Sequence, residues 1–207
     1  MKILHLLYQS LPDVQGSSIR SHQILKYQEK FGVEVFALTS PFQSSSVAQD
    51  KIEVFDGVKY YRSFLAGDYE FLKMKKGLRK RLNKIIPIIH YYKQAAQTIR
   101  KENIDLIHAH SAFFCGITGV LLSWRFRKPL IYEVRSNWIK GMVEKGAFKE
   151  NSWIARVYKF LENISIKRAT EVVIIGENLR EYIRSAGRRN VQNSPVVYNS
   201  VDLDEIE

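Results

Sequence analysis

The chain has 207 residues, 45% of them apolar and 12% aromatic, ample for one sizeable globular domain or two small ones. Its net charge of +11 favours an anionic partner such as nucleic acid, a membrane surface or a phosphorylated substrate. No window reaches the ~18 uninterrupted apolar residues of a spanning helix, no signal-peptide pattern opens the chain, and one cysteine, Cys115, cannot form an intrachain disulfide, which favours a reducing cytosol.

Residues 2–8 are an apolar run bounded by Gln9-Ser-Leu-Pro12, which predicts a buried first strand. The loop 9–18 carries the turn formers Pro12, Asp13 and Gly16. Ser17 or Ser18 can N-cap a helix to about Phe31, which Gly32 ends. Residues 33–39 predict a second strand, so the first forty residues spell the βαβ unit of a parallel sheet. Two short strands, 51–54 and 58–64, meet at the hairpin dipeptide Asp56-Gly57. Residues 71–102 are helical in pattern, with Pro87 expected to break or kink them.

A strand over 104–110 ends in His108 and His110, and a small-residue, apolar helix follows over 112–126. Residues 129–135 form another apolar run, ending in Glu133-Val-Arg135. The glycine-containing, mixed-charge stretch 136–151 reads as a mobile loop, followed by an amphipathic helix over 152–168 capped by Ser152 or Asn151. A short strand (171–175), a short helix (177–186) and a last strand (191–198) complete the pattern. Strand and helix alternate from end to end. The expected fold is a Rossmann-like, doubly wound α/β domain, its mainly parallel sheet covered by helices on both faces.

Such folds bind ligands at the carboxyl ends of their strands. His108 and His110, at i and i+2, point to one face there. Two histidines on one face also suggest metal. No third histidine, cysteine or carboxylate lies nearby at ligand spacing, so the expectation is no metal. A neutral imidazole at the rim can hydrogen-bond a hydroxyl or stabilise developing charge. Glu133 and Arg135 stand in the same i, i+2 relation; they could join the histidines in one cleft or simply form a local salt bridge. Thr39 would join the same rim.

Gly16 lies in the first βα loop, where glycine lets phosphate approach the N–H groups of a helix N-terminus, although it serves equally as a turn glycine. Arg20, in the first helical turn, opposes the helix dipole; meeting an anion would explain it, and so would solvation. A basic amphipathic run, Lys73, Lys75, Lys76, Arg79, Lys80, Arg81 and Lys84, is interleaved with Leu78, Leu82, Ile85 and Ile89. That is the pattern of a helix lying on an anionic bilayer, and equally of a solvated face. Nucleic acid ranks lower, because no nucleic-acid module is present.

These residues together resemble the N-terminal half of glycosyltransferase family 4 enzymes of the GT-B fold. The resemblance rests on Met1-Lys-Ile-Leu-His5 with its Gly16 loop, Gly32-Val-Glu-Val35, Leu38-Thr-Ser-Pro41, Asp105-Leu-Ile-His-Ala-His110, Tyr132-Glu-Val-Arg135 and Trp138. It continues through Arg168-Ala-Thr-Glu-Val-Val-Ile174-Ile175 and Val197-Tyr-Asn-Ser-Val-Asp202, with Thr170, Gly176, Tyr198 and Ser200 departing from the family's usual residues.

The resemblance implies a retaining, nucleotide-sugar-dependent transferase acting on a lipid-linked or glycan acceptor in cell-surface polysaccharide synthesis. It implies that Gly16, Ser17 and Ser18 lie against the donor diphosphate and that His110 sits catalytically beside the reacting sugar, with His108 structural. Arg20, Thr39, Glu133 and Arg135 would line the sugar and acceptor cleft, and the 73–84 run would dock on the inner face of the cell membrane. It implies no cofactor beyond the nucleotide-diphosphate sugar as substrate. Residues 1–198 would be the acceptor-side domain and 199–207 the start of a linker to a donor-binding domain, so this chain alone would be inactive or nearly so. The alternative is a non-enzymatic anion- or membrane-binding α/β module.

Overall fold

A computed structural model describes residues 1–43, 51–63, 78–188 and 190–200, with backbone alone for 78–85. In chain order the elements are β1 (Lys2–Leu7), α1 (Gly16–Lys30), β2 (Glu34–Thr39), β3 (Ile52–Phe55), β4 (Val58–Arg62), α2 (Leu78–Glu102), β5 (Leu106–His110) and α3 (Phe113–Phe126). There follow β6 (Leu130–Val134), α4 (Trp138–Glu144), α5 (Trp153–Arg168), β7 (Glu171–Ile174) and α6 (Arg180–Ser185).

The seven strands form one sheet in the order β3-β4-β2-β1-β5-β6-β7. Every pairing is parallel except the β3–β4 hairpin, where Asp56 and Gly57 both take positive φ (47° and 85°). The expected doubly wound architecture is the one observed.

Alternation along the strands divides their side chains between two helical layers. On one face Leu4, Leu6, Ile107, Ala109, Tyr132 and Val134 pack with Tyr91 and Ile99 of α2, Phe114 and Leu122 of α3 and Ile166 of α5. On the other, Leu7, Val35, Ala37, Val58 and Tyr60 pack with Leu25 of α1. The strand residues between the first set are His5, His108, His110 and Glu133, so the middle of the sheet is polar on its second face.

Four local expectations are corrected. Neither Ser17 nor Ser18 caps α1: the helix begins at Gly16, Gln15 is the N-cap and no side chain caps it. Residues 136–151 contain a helix, α4, whose N-cap Asn137 accepts from the Lys140 N–H at 3.1 Å. Residues 191–198 hold a 3-10 turn and one bridge, Ile174 to Val196, and the Arg180 guanidinium takes the Val191 and Ser194 carbonyls. Pro87 lies inside α2, which runs through it without interruption; its N–H would be missed by one carbonyl only.

Candidate functional site at the carboxyl rim

The register of β1, β5 and β6 assembles the site. His5 pairs with His108, and His110 with Glu133, as Cα neighbours on adjacent parallel strands. The Glu133 carboxylate is 1% exposed. It accepts from Arg20 at Oε1 (2.9 Å from Nε, 2.7 Å from Nη2) and from Arg135 Nε (2.8 Å) and His110 Nδ1 (2.8 Å) at Oε2. Arg20 therefore meets an anion supplied by the protein itself. Its guanidinium also donates to the carbonyls of Val197 and Tyr198 and to Asn199 Oδ1, tying the end of the described chain to α1. Arg135 donates to Ser17 O (2.8 Å) and Ser21 Oγ (3.0 Å), fastening the first turns of α1 to β6.

Electrostatics follow from this packing. Burial alone would raise the Glu133 carboxyl, but Arg135 and the hydrogen bond from His110 outweigh it and hold the group well below its ordinary value. Burial, reinforced by Arg135, lowers His110 to about 3 despite the opposing pull of Glu133. His5 and His108 are likewise held far down by burial first and by a neighbouring histidine second. Three imidazoles are therefore neutral at physiological pH. Two groups meet His110 Nδ1, the Glu133 carboxylate (2.8 Å), which can only accept, and Arg135 Nη2 (2.5 Å), which can only donate; with the Nδ1 proton directed at the carboxylate, Nε2 presents a lone pair to His5 Nδ1, 2.9 Å away.

A match to the family model described as "Glycosyl transferase 4-like domain" extends over residues 15–199. The chain belongs to this family. No curated protein matches it. Among solved structures, HepE of Anabaena in complex with UDP is 16% identical, with a TM-score of 0.56 over 99% of this chain and 45% of that one. UDP-GlcNAc 2-epimerase of Methanocaldococcus jannaschii is 12% identical (TM-score 0.54, 95% and 45%). The catalytic domain of starch synthase IV of Arabidopsis thaliana, bound to ADP and acarbose, is 9% identical (TM-score 0.61, 98% and 52%). These likenesses show the GT-B type of fold, and the chain spans about half the length of each.

In this glycosyl transferase 4-like domain, Gly16 and Ser17 are exposed at the N-terminus of α1, with open space where a Gly16 Cβ would stand. Gly16 borders a groove of about 460 Å³ that also takes in Arg20, Tyr198, Asn199 and Ser200. Ser18 is buried instead, its Oγ without a partner. His110 is 1% exposed, one layer beneath the surface that Arg20 and Arg135 form.

Thr39 does not join Glu133. It belongs to a second buried cluster, bonded to Ser10 Oγ (2.8 Å) and to Arg62 Nη1 (2.9 Å). Sequence reasoning missed Arg62. It is 3% exposed, pairs with Glu53 at 2.6 Å, and holds Gln43 and the Leu11 carbonyl at the start of the β1–α1 loop. Its signal was an arginine at the end of a short strand, indistinguishable in sequence from a solvated edge residue.

Phe113, Trp138 and Tyr158 pack against one another, with ring centroids 4.6 to 5.8 Å apart, and seat α4 on α5. The basic run falls largely outside this description: Lys73, Lys75 and Lys76 lie outside the described residues, and Arg79, Lys80, Arg81 and Lys84 have backbone only.

Proposed function

We propose that this chain is the acceptor-side, N-terminal domain of a retaining, nucleotide-sugar-dependent glycosyltransferase that builds a cell-surface polysaccharide on a lipid-linked or glycan acceptor. The observation that carries the reading is the groove at the strands' carboxyl rim. There the exposed helix N-terminus at Gly16 stands beside Arg20, whose guanidinium is committed to Glu133 and to the 197–199 segment. Backbone N–H groups and the helix dipole suit a diphosphate there, at no cost of reorganisation. HepE and starch synthase IV, which share the fold, are recorded with UDP or UDP-glucose and with ADP.

In this reading His110 acts on the reaction through its neighbours. It holds Glu133, which orients Arg20 and Arg135, and a direct contact with sugar would require its ring to leave His5. Residues 1–198 supply the acceptor side and the diphosphate contact, while 199–207 lead to a second domain that carries the nucleotide. The protein works in the cytoplasm against the inner membrane surface. Support for that placement comes from α5, whose outer side exposes Trp153, Val157 and Phe160 between Arg156 and Lys159, and from Trp124 of α3, 81% exposed.

Nuclear magnetic resonance titration of the 207-residue chain with nucleoside-diphosphate sugars tests the proposal. Weak binding is expected, with shifts confined to Gly16–Arg20 and the Tyr198–Ser200 backbone and with no turnover. Tight binding with turnover would overturn the half-site assignment, and an unperturbed rim would overturn the site.

A further inference from the structure

The sequence argument against metal rested on the lack of a third ligand beside His108 and His110, and the fold supplies it. His5 comes from β1, about a hundred residues earlier, and is the register partner of His108. Each of the three histidines can offer one ring nitrogen such that all three nitrogens lie within 4.8 Å of one another. All three rings are buried, at 0%, 7% and 1% exposure. Those of His108 and His110 stack with centroids 4.1 Å apart, and that of His5 lies 5.1 and 5.2 Å from them.

We propose that His5, His108 and His110 form a zinc-class metal site that clamps β1 to β5 beneath α1.

Three features of the cluster support this. First, His110 is oriented as a metal-binding imidazole is. Its Nδ1–H is fixed on the Glu133 carboxylate, so Nε2 faces inward as a lone pair of raised basicity. Second, the cluster contains unsatisfied nitrogens: His108 Nε2 and His5 Nε2 are both buried without a hydrogen-bond partner. Such orphans are rare and call for a ligand or an explanation. Third, a bound ion would account for the protons of His5 and Gln28 together.

Without an ion, His5 must carry its proton on Nδ1 to donate to His110 Nε2, 2.9 Å away. Its Nε2 is then a second acceptor beside Gln28, the hydrogen-bonding side chain next to His5, whose amide oxygen is also unpartnered. A metal between His5 Nδ1 and His110 Nε2 replaces that shared proton. The nitrogens need move apart only to roughly 3.3 Å, the edge of a tetrahedron with metal–nitrogen bonds of about 2.0–2.1 Å. The His5 proton then resides on Nε2, where it donates to Gln28 Oε1 and satisfies both orphans. His108 Nε2 supplies the third bond.

Three imidazoles suit zinc, cobalt(II), nickel or copper and offer nothing to calcium or magnesium. The ligands are neutral, and Glu133 is already shared by two arginines. Affinity should therefore fall below that of thiolate sites, and the effect should be one of order at the rim: His110 held by metal holds Glu133, and Glu133 holds Arg20 and Arg135.

The test uses the whole chain without an affinity tag. Cobalt(II) is titrated while its visible d–d bands are followed, and zinc competition follows. One equivalent is expected, with four- or five-coordinate bands, and His108→Asn and His5→Gln should each weaken binding at least 100-fold. Circular dichroism checks that the variants fold. Should they not, nitrogen-15 histidine spectra of the unaltered chain decide. With five histidines in all, zinc should shift His5, His108 and His110 and leave His22 and His90 in place. No stoichiometric binding, binding that survives both substitutions, or shifts confined to His22 and His90 would each overturn the proposal.

Discussion

Glu162 shows how one buried carboxyl can set a pH dependence. It lies on the inner side of α5, fully buried, accepting from Tyr132 Oη at 2.9 Å through Oε1 while Oε2 has no partner. Burial pushes its pKa up to about 7, against the opposing hydrogen bond from Tyr132. The folded state keeps this proton up to about pH 7, whereas the unfolded chain releases it near 4.5. Folded protein therefore binds more protons across that window. The group's contribution is fully present below it, declines as pH rises through it, and levels off above. Glu162→Gln should remove this slope and stabilise the fold at pH 8 relative to pH 5 by up to about 3 kcal/mol. Urea denaturation of both proteins at the two pH values measures it; parallel pH profiles would show that Glu162 ionises freely.

At the scale of elements, the contact between α3, α5 and β6 depends on the absence of a side chain. A Cβ on Gly116 would stand 2.6 Å from Ser165 Oγ, 2.7 Å from Ser165 Cβ and 2.8 Å from the Tyr132 ring. All three belong to well-packed residues, so the helix must move or the ring must turn. Gly116→Ala gains helix propensity of about 1 kcal/mol and loses more to overpacking. A net destabilisation of about 1–3 kcal/mol is expected in urea denaturation. The tightness has a consequence for the rim, since Phe113 opens the same helix, stacks on Tyr158 and packs against Trp138. A helix displaced at Gly116 would also loosen the seat of α4.

At the scale of the molecule, the charge of +11 and the apolar residues exposed on one helical layer belong to the same expectation. Ile86 and Ile89 of α2, Leu121 and Trp124 of α3, and Trp153, Val157 and Phe160 of α5 are all exposed there. No helix among the described residues is long and apolar enough to cross a membrane, so contact would be interfacial. Sedimentation with vesicles containing anionic lipid should capture the chain, and neutral vesicles should not. Each lysine or arginine at such a surface contributes about 1 kcal/mol, so raising salt should release the protein. Trp153→Ser with Phe160→Ser should weaken capture at least tenfold. Equal capture by neutral vesicles, or none by either, would contradict the docking role.

Much of this fold was legible in the sequence because its information is local. Apolar runs of strand length, Asp56-Gly57 at the hairpin, Gly32 after α1 and Ser152 before α5 each act through neighbours a few residues away. The parallel sheet, its two helical layers and the family followed from their order. Where a side chain acted at long range, local reading failed. The 136–151 stretch looked mobile because the rings that seat α4, Phe113 and Tyr158, lie on other elements. Thr39 ends β2 at the rim, but the register of β4 sets it on Arg62 and not on Glu133.

The sequence by itself determined which residue types end the central strands: two histidines at i and i+2, and a glutamate and arginine on the next. Only the tertiary structure decided what they do. Parallel register places His5 beside His108 and His110 beside Glu133, and helix α1 closes over them and removes water. That burial makes the imidazoles neutral and leaves two ring nitrogens without partners, while Arg135 and His110 keep Glu133 ionised against it. None of these properties belongs to a residue or a motif; each arises from low dielectric and from neighbours that only folding brings together.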